Sequence, residues 1–188
     1  MPKYVTARDS DVRYFKGRTI RELSDLVFFG QVDVSSYSVI FIHVGTNDLN
    51  NLIKSDRIKH TLPHHIMEHF YALRANIRRK NTYAILQFSS VLPRIDDFPT
   101  YDPLVRGINF AIEKMCAKTN GACIYVPSWK WFVSNGAPIE AYYCKDGLHP
   151  NGAGNGALQA GIQTSLSTAA MLERVRSRRT SRLACLPF

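Results

Sequence analysis

Asp146 stands three residues ahead of His149 in the run Asp146-Gly147-Leu148-His149-Pro150-Asn151. An acid at that spacing can share one side of a turn with the histidine. Its carboxylate can accept a hydrogen bond from one ring nitrogen and leave the other free as a base. That is the orienter-plus-base half of a nucleophilic triad. Pro150 fixes its own φ and has no N–H, so it stiffens the turn. Asp-Gly and His-Pro are also ordinary turn formers, and alone the run fits a solvent loop equally well. A second run is His43-Val44-Gly45-Thr46-Asn47-Asp48. An asparagine just past a buried strand can aim a neutral N–H₂ donor at an oxyanion. It can equally serve a tight turn. Asp48 suits holding that loop better than reacting. A third candidate is Gly17 in Phe15-Lys16-Gly17-Arg18-Thr19. A glycine between strand and helix can expose a backbone N–H as a second oxyanion donor, or can merely fit the turn.

Other chemistry-bearing residues fit plainer roles. His64, His65 and His69 crowd one helix, but the full zinc motif H-E-x-x-H is absent, so a polar helix face is expected and no metal. His43 falls inside an apolar strand, where a satisfied core histidine is expected. Ser89, Ser90 and Ser128 follow strands outside any Gly-x-Ser-x-Gly elbow, which favours lining or turn roles. Cys116, Cys123, Cys144 and Cys185 form no C-x-x-C pair and read as free thiols, mostly packing residues.

These candidates need elements to hold them. Residues 11–14 read as a short strand. Thr19 then caps a helix, with Glu22 as its capping-box partner and Ile20, Leu23, Leu26 and Val27 as its apolar stripe. Residues 38–44, 82–88 and 122–126 are apolar runs suited to strands buried on both faces. The first of these stops at the turn formers Gly45-Thr46-Asn47-Asp48. Helices are expected over residues 63–80, 102–119 and about 154–176, with residues 89–99 and 127–145 as loops. The last helix is rich in small residues that permit close approach to a sheet. Aromatic residues between Trp129 and Tyr143 can wall a pocket or fill a core. Strands alternating with helices imply βαβ crossovers and a mainly parallel sheet covered on both faces, a three-layer α/β/α sandwich. Ligands bind outside the carboxyl ends of such strands, where Gly17, Asn47, Ser89 and Ser90 all sit.

The chain has 188 residues and a formal net charge of +9. That length suits one domain, expected over residues 1–170, followed by a basic tail over 171–188. Five arginines, 174, 176, 178, 179 and 182, stand there against Glu173. They suit a solvated helix end plus frayed tail, or a weak nucleic-acid contact. No aromatics interleave with them, which argues against base stacking. The sequence shows neither a membrane-spanning apolar run nor a secretory signal at its start, so as written a cytoplasmic location is expected.

Taken together, the three motifs resemble the SGNH hydrolases, also called the GDSL esterase/lipase family, over roughly residues 11–167. Gly17 matches the family's second-block glycine, Gly45-Thr46-Asn47-Asp48 its G-x-N-D, and Asp146 to Pro150 its D-x-x-H-P. The wording is most similar to animal esterase-like domains, including those of some LINE retrotransposons. The resemblance implies a flavodoxin-like sheet and Ser-His-Asp chemistry on an acyl or acetyl ester of a lipid, sugar or small alcohol. His149 would be the base, Asp146 its orienter, and Asn47 and Gly17 the oxyanion donors. Ser89 and Ser90 would line the substrate site, and no metal or organic cofactor is needed. The family's Gly-Asp-Ser block is not matched. Its nearest look-alike, Arg8-Asp9-Ser10, lies seven residues before Gly17. That stretch covers at most ~25 Å, too little for a helix and a return strand. The expectation is therefore a domain without its first strand and nucleophile, truncated or inactive as written. A catalytically dead binding module and a nucleic-acid-associated domain of a retroelement protein are the alternatives.

Overall fold

The computed structural model describes residue 15, residues 17–54 and residues 62–183. Ser10, Cys185 and the strand expected over residues 11–14 lie outside the described residues. Helix α1 (Ile20–Phe28) begins as its sequence requires. The Thr19 hydroxyl accepts from the Glu22 N–H while the Glu22 carboxylate accepts from the Thr19 N–H. This reciprocal cap satisfies two N–H groups that the first turn leaves without helical partners.

Three strands follow, β1 (Val39–Ile42), β2 (Ile85–Ser89) and β3 (Cys123–Val126). They pair in parallel in the order β1-β2-β3, with Val39 opposite Ile85 and Leu86 opposite Cys123. Parallel neighbours need crossovers, and helices supply them. Helices α2 (Thr46–Lys54) and α3 (Leu62–Lys80) lie between β1 and β2, and α4 (Phe98–Ala117) between β2 and β3. A loop with two short 3₁₀ turns and a two-residue hairpin then leads to α5 (Gly152–Leu183).

Alternate strand residues point to opposite faces. On one face Ile42, Leu86, Phe88 and Cys123 join Ile20 and Val27 of α1, Phe70, Leu73 and Ile77 of α3, and Ile108 and Ile112 of α4 in one buried core. The other face carries Phe41, Gln87 and Ile124, and α5 crosses it; the Gln87 side chain donates to Ser165 O at 2.8 Å. The result is the α/β/α sandwich expected from the alternation. Central strand β2 is buried throughout, whereas most of β1 is only half-buried. Among the described residues no strand pairs with the outer edge of β1.

At the amino end of the sheet, Arg78 donates to Ala84 O and Ala122 O, both at 2.6 Å, and to Thr82 O at 3.1 Å. One guanidinium thus satisfies carbonyls at the starts of two adjacent strands.

Three helices differ from the sequence expectation. The Gly45-Thr46-Asn47-Asp48 turn opens directly into α2, so Asn47 and Asp48 occupy a helix's first turn. An acidic residue suits that position through the helix dipole. Helix α4 starts at Phe98 rather than 102, with Pro99 in its first turn, where a missing N–H costs nothing. Helix α5 runs on through the arginine-rich stretch to Leu183. Its small residues meet the sheet, where Ser165 O accepts from Gln87, and also the preceding loop. A Cβ on Gly161 would lie 2.3 Å from the Trp131 ring, and one on Gly154 would lie 2.2 Å from Tyr142 O. The aromatic loop itself builds a second small core, in which Phe132 and Tyr143 are buried with Leu92. Cys116 and Cys123 are buried free thiols and Cys144 is an exposed one.

Candidate active site

His149 and Asp146 form the pair that their spacing suggests. His149 Nδ1 lies 2.7 Å from Asp146 Oδ2. The other carboxylate oxygen accepts from the backbone N–H groups of Leu148 and His149 at 2.9 and 3.0 Å. Those two backbone donors, followed by the imidazole, hold the Asp146 pKa down to about 2. Its negative charge is therefore secure at neutral pH, and it favours the tautomer with the proton on Nδ1. His149 Nε2 is then left as a lone pair, and the ring is open to solvent. Gly147 makes the turn possible. Its φ is +65°, and a Cβ there would lie 2.7 Å from the backbone nitrogen of Asp96.

Gly17 and Asn47 meet at the carboxyl side of the sheet. Arg18 N donates to Phe15 O at 3.2 Å, closing a turn with Gly17 inside it at φ +74°. Asn47 Nδ2 donates to Arg18 O at 3.0 Å, which brings its amide against that turn. One hydrogen of the amide is thereby occupied, and an N–H₂ group has a second to offer an oxyanion. Asp48 anchors the assembly from behind. Its buried carboxylate accepts from Ile20 N at 3.0 and 3.2 Å, tying α2 to the start of α1. Burial pushes the Asp48 pKa up, against the opposing pull of the Ile20 N–H and of His69, whose Nδ1 is 3.7 Å away.

The loop after β2 joins these two halves. Ile95 N donates to Gly147 O at 2.9 Å, and the Tyr143 hydroxyl to Pro93 O at 2.7 Å. Arg94 bonds both Asn50 of α2 and Asp96, with its Nε 2.9 Å from Asp96 Oδ1. The sequence expectation treated residues 89–99 as plain loop and passed over Arg94. The available signal is a charged side chain just beyond a mostly apolar strand, two residues before an aspartate.

Ser89 and Ser90 occupy the expected strand end, but both are buried. Ser89 Oγ lies 2.9 Å from His43 Nδ1 and 2.8 Å from Ser128 Oγ, and Ser90 Oγ accepts from Trp129 N at 2.7 Å. Their hydroxyls are thus committed inside the fold. His43 departs from its expected core role. It lies one residue past β1 and its surface is exposed, although the protein packed around its ring pushes its pKa down to about 4. Contact with water tempers the consequence of that shift for stability. His65 and His69 do not share a metal site; His65 faces Glu68 and His69 faces Asp48. Among the described residues no cluster of three or more metal-ligating side chains occurs. No described helix is long and apolar enough to cross a membrane.

A family model for GDSL-like lipases and acylhydrolases matches residues 3–157. The chain belongs to the GDSL-like lipase/acylhydrolase family. Solved structures share the fold of this family member at low identity. A GDSL-like lipase from Bacteroides thetaiotaomicron is 21% identical with a TM-score of 0.64, over 84% of this chain and 75% of that one. A carbohydrate esterase family 3 protein from Talaromyces cellulolyticus is 16% identical with a TM-score of 0.63, over 82% and 69%. An acetyl esterase variant solved with an acetate ion gives those same values. No curated protein matches the sequence.

Proposed function

We propose that this GDSL-like chain carries the acid–base and oxyanion parts of an ester-hydrolase site for acyl or acetyl esters of a sugar, lipid or small alcohol. The observation that carries this reading is the His149–Asp146 pair at 2.7 Å, with His149 Nε2 left open. In this scheme His149 takes a proton from a serine hydroxyl as it attacks the ester carbonyl. It then returns that proton to the leaving alcohol. Asp146 holds the ring and stabilises it while charged. The Asn47 amide and the Gly17 N–H donate to the oxygen on which negative charge develops. The acetyl and carbohydrate esterases among the structural neighbours support a short acyl group.

Among the described residues, no serine hydroxyl hydrogen-bonds to His149. In this scheme turnover requires a serine hydroxyl next to Nε2. Hydrolysis of p-nitrophenyl acetate tests this. The chain is compared with a version carrying an apolar strand, Gly-Asp-Ser and a crossover helix joined upstream. Turnover that appears with the joined segment and vanishes in its His149→Ala variant is the expected result. Fast turnover by the chain as it stands, lost with Ser10→Ala, would assign the nucleophile to Ser10 instead. Substrate binding without turnover in either form would make the chain a binding module.

A further inference from the structure

Arg94 is 4% exposed although it lies in the loop between β2 and α4. Its Nε and Nη2 bond the two Asp96 oxygens, its Nη1 bonds Asn50 Oδ1 on α2, and its guanidinium carbon sits 3.7 Å from the centre of the Tyr101 ring on α4. Burying a charge, even a paired one, seldom stabilises a fold more than apolar packing of the same volume. A guanidinium provides something else, a rigid planar fork that fixes several partners at set angles.

The partners of that fork matter here. Asn50 is three residues past Asn47, so the two lie near one face of α2, and moving one moves the other. Asp96 and Ile95 lie against the acid–base turn. The Asp96 backbone nitrogen fills the space that a Gly147 side chain would need, and Ile95 N holds Gly147 O. We propose that Arg94 is a positioning residue that couples the oxyanion helix α2 to the Asp146–His149 turn. This role rests on the site reading above for its meaning in catalysis. The two halves of the site meet through this side chain, so their spacing is set by its fork.

The test reads position rather than turnover. Asn50→Ala alters only the α2 end of the link. Amide hydrogen exchange at Leu148 and His149, whose N–H groups bond Asp146 Oδ1, reports the far end. The ring ¹⁵N shifts of His149 report how much of its proton sits on Nδ1. Asn50→Ala is expected to speed exchange at Leu148 and His149 about fivefold and to lower the Nδ1–H share, with exchange at Phe88 of β2 unchanged. In an Arg94→Met background the same substitution should add nothing. Should Arg94→Met fail to fold, Arg94→Lys, which keeps the charge without the fork, takes its place. Unchanged exchange at Leu148 and His149 after Asn50→Ala would overturn the coupling. So would an equal change in both backgrounds, or a parallel change at Phe88, which marks global loosening. Ester turnover that survives His149→Ala would instead defeat the functional reading and leave the measured coupling standing.

Discussion

Among the described residues two aspartates, Asp146 and Asp48, face a histidine, and their surroundings are opposite. Asp146 is half exposed, touches His149 at 2.7 Å and has its pKa lowered to about 2 by N–H donors. Asp48 is buried, grips the backbone N–H of Ile20, stays 3.7 Å from His69 and has its pKa raised by burial. An acid that must orient a base needs its charge ready and its partner close. An acid that anchors a helix needs a backbone donor more than it needs the histidine. Having both types of residue at hand is therefore a poor guide to chemistry; the donors around the carboxylate distinguish the two roles.

That contrast can be broken most forcefully at the histidines. In the form complemented with a serine, His149→Ala should lower kcat/KM about a thousandfold or more. His69→Ala should leave it within roughly twofold, and comparable losses from both would erase the distinction. Stability should reverse the ranking at the acids. Asp48→Ala leaves the Ile20 N–H without its acceptor and should cost about 1–3 kcal/mol in urea unfolding. Asp146→Ala, on an exposed turn, should lower the urea midpoint less than Asp48→Ala does. A larger stability loss at Asp146 than at Asp48 would contradict the assigned roles.

The smallest effect is in pH dependence. The folded pKa of Asp146 lies below its ordinary value of 3.8, so its stabilisation is present above 3.8 and is lost as pH falls toward about 2. The folded pKa of Asp48 is raised, so its contribution is full below 3.8 and is lost as pH rises through the folded value. Denaturation midpoints at stepped acidic pH should therefore fall less steeply in Asp146→Asn than in the native chain, and more steeply in Asp48→Asn. Equal slopes would remove the electrostatic side of the comparison.

How much of this was legible in the sequence varies with how local the cause is. The capping box at Thr19 and Glu22, the three apolar strands and the D-x-x-H turn depend on neighbours within a few residues, and each is where its pattern placed it. The start of α2 was hidden because Gly45-Thr46-Asn47-Asp48 suits a turn and a helix's first residues alike. The burial of Ser89 and Ser90 depends on His43, Ser128 and Trp129, about 40 residues or more away in either direction. The position of Arg94 carries only a faint local signal for the same reason, since its contacts exist only once α2, α4 and the Gly147 turn converge. Local rules thus recover the elements and the Asp146–His149 turn, and the connections between halves of the proposed site come from tertiary packing.

Arg78 shows what such a packing contact does at the opposite end of the sheet. By gathering the carbonyls of Thr82, Ala84 and Ala122 it binds the amino ends of β2 and β3 like the spine of a book. The pages open at the carboxyl ends, where the start of α2 with Asn47 and the loop carrying Arg94 emerge. Loops at the fore-edge can be rewritten in length and sequence while the binding stays sewn.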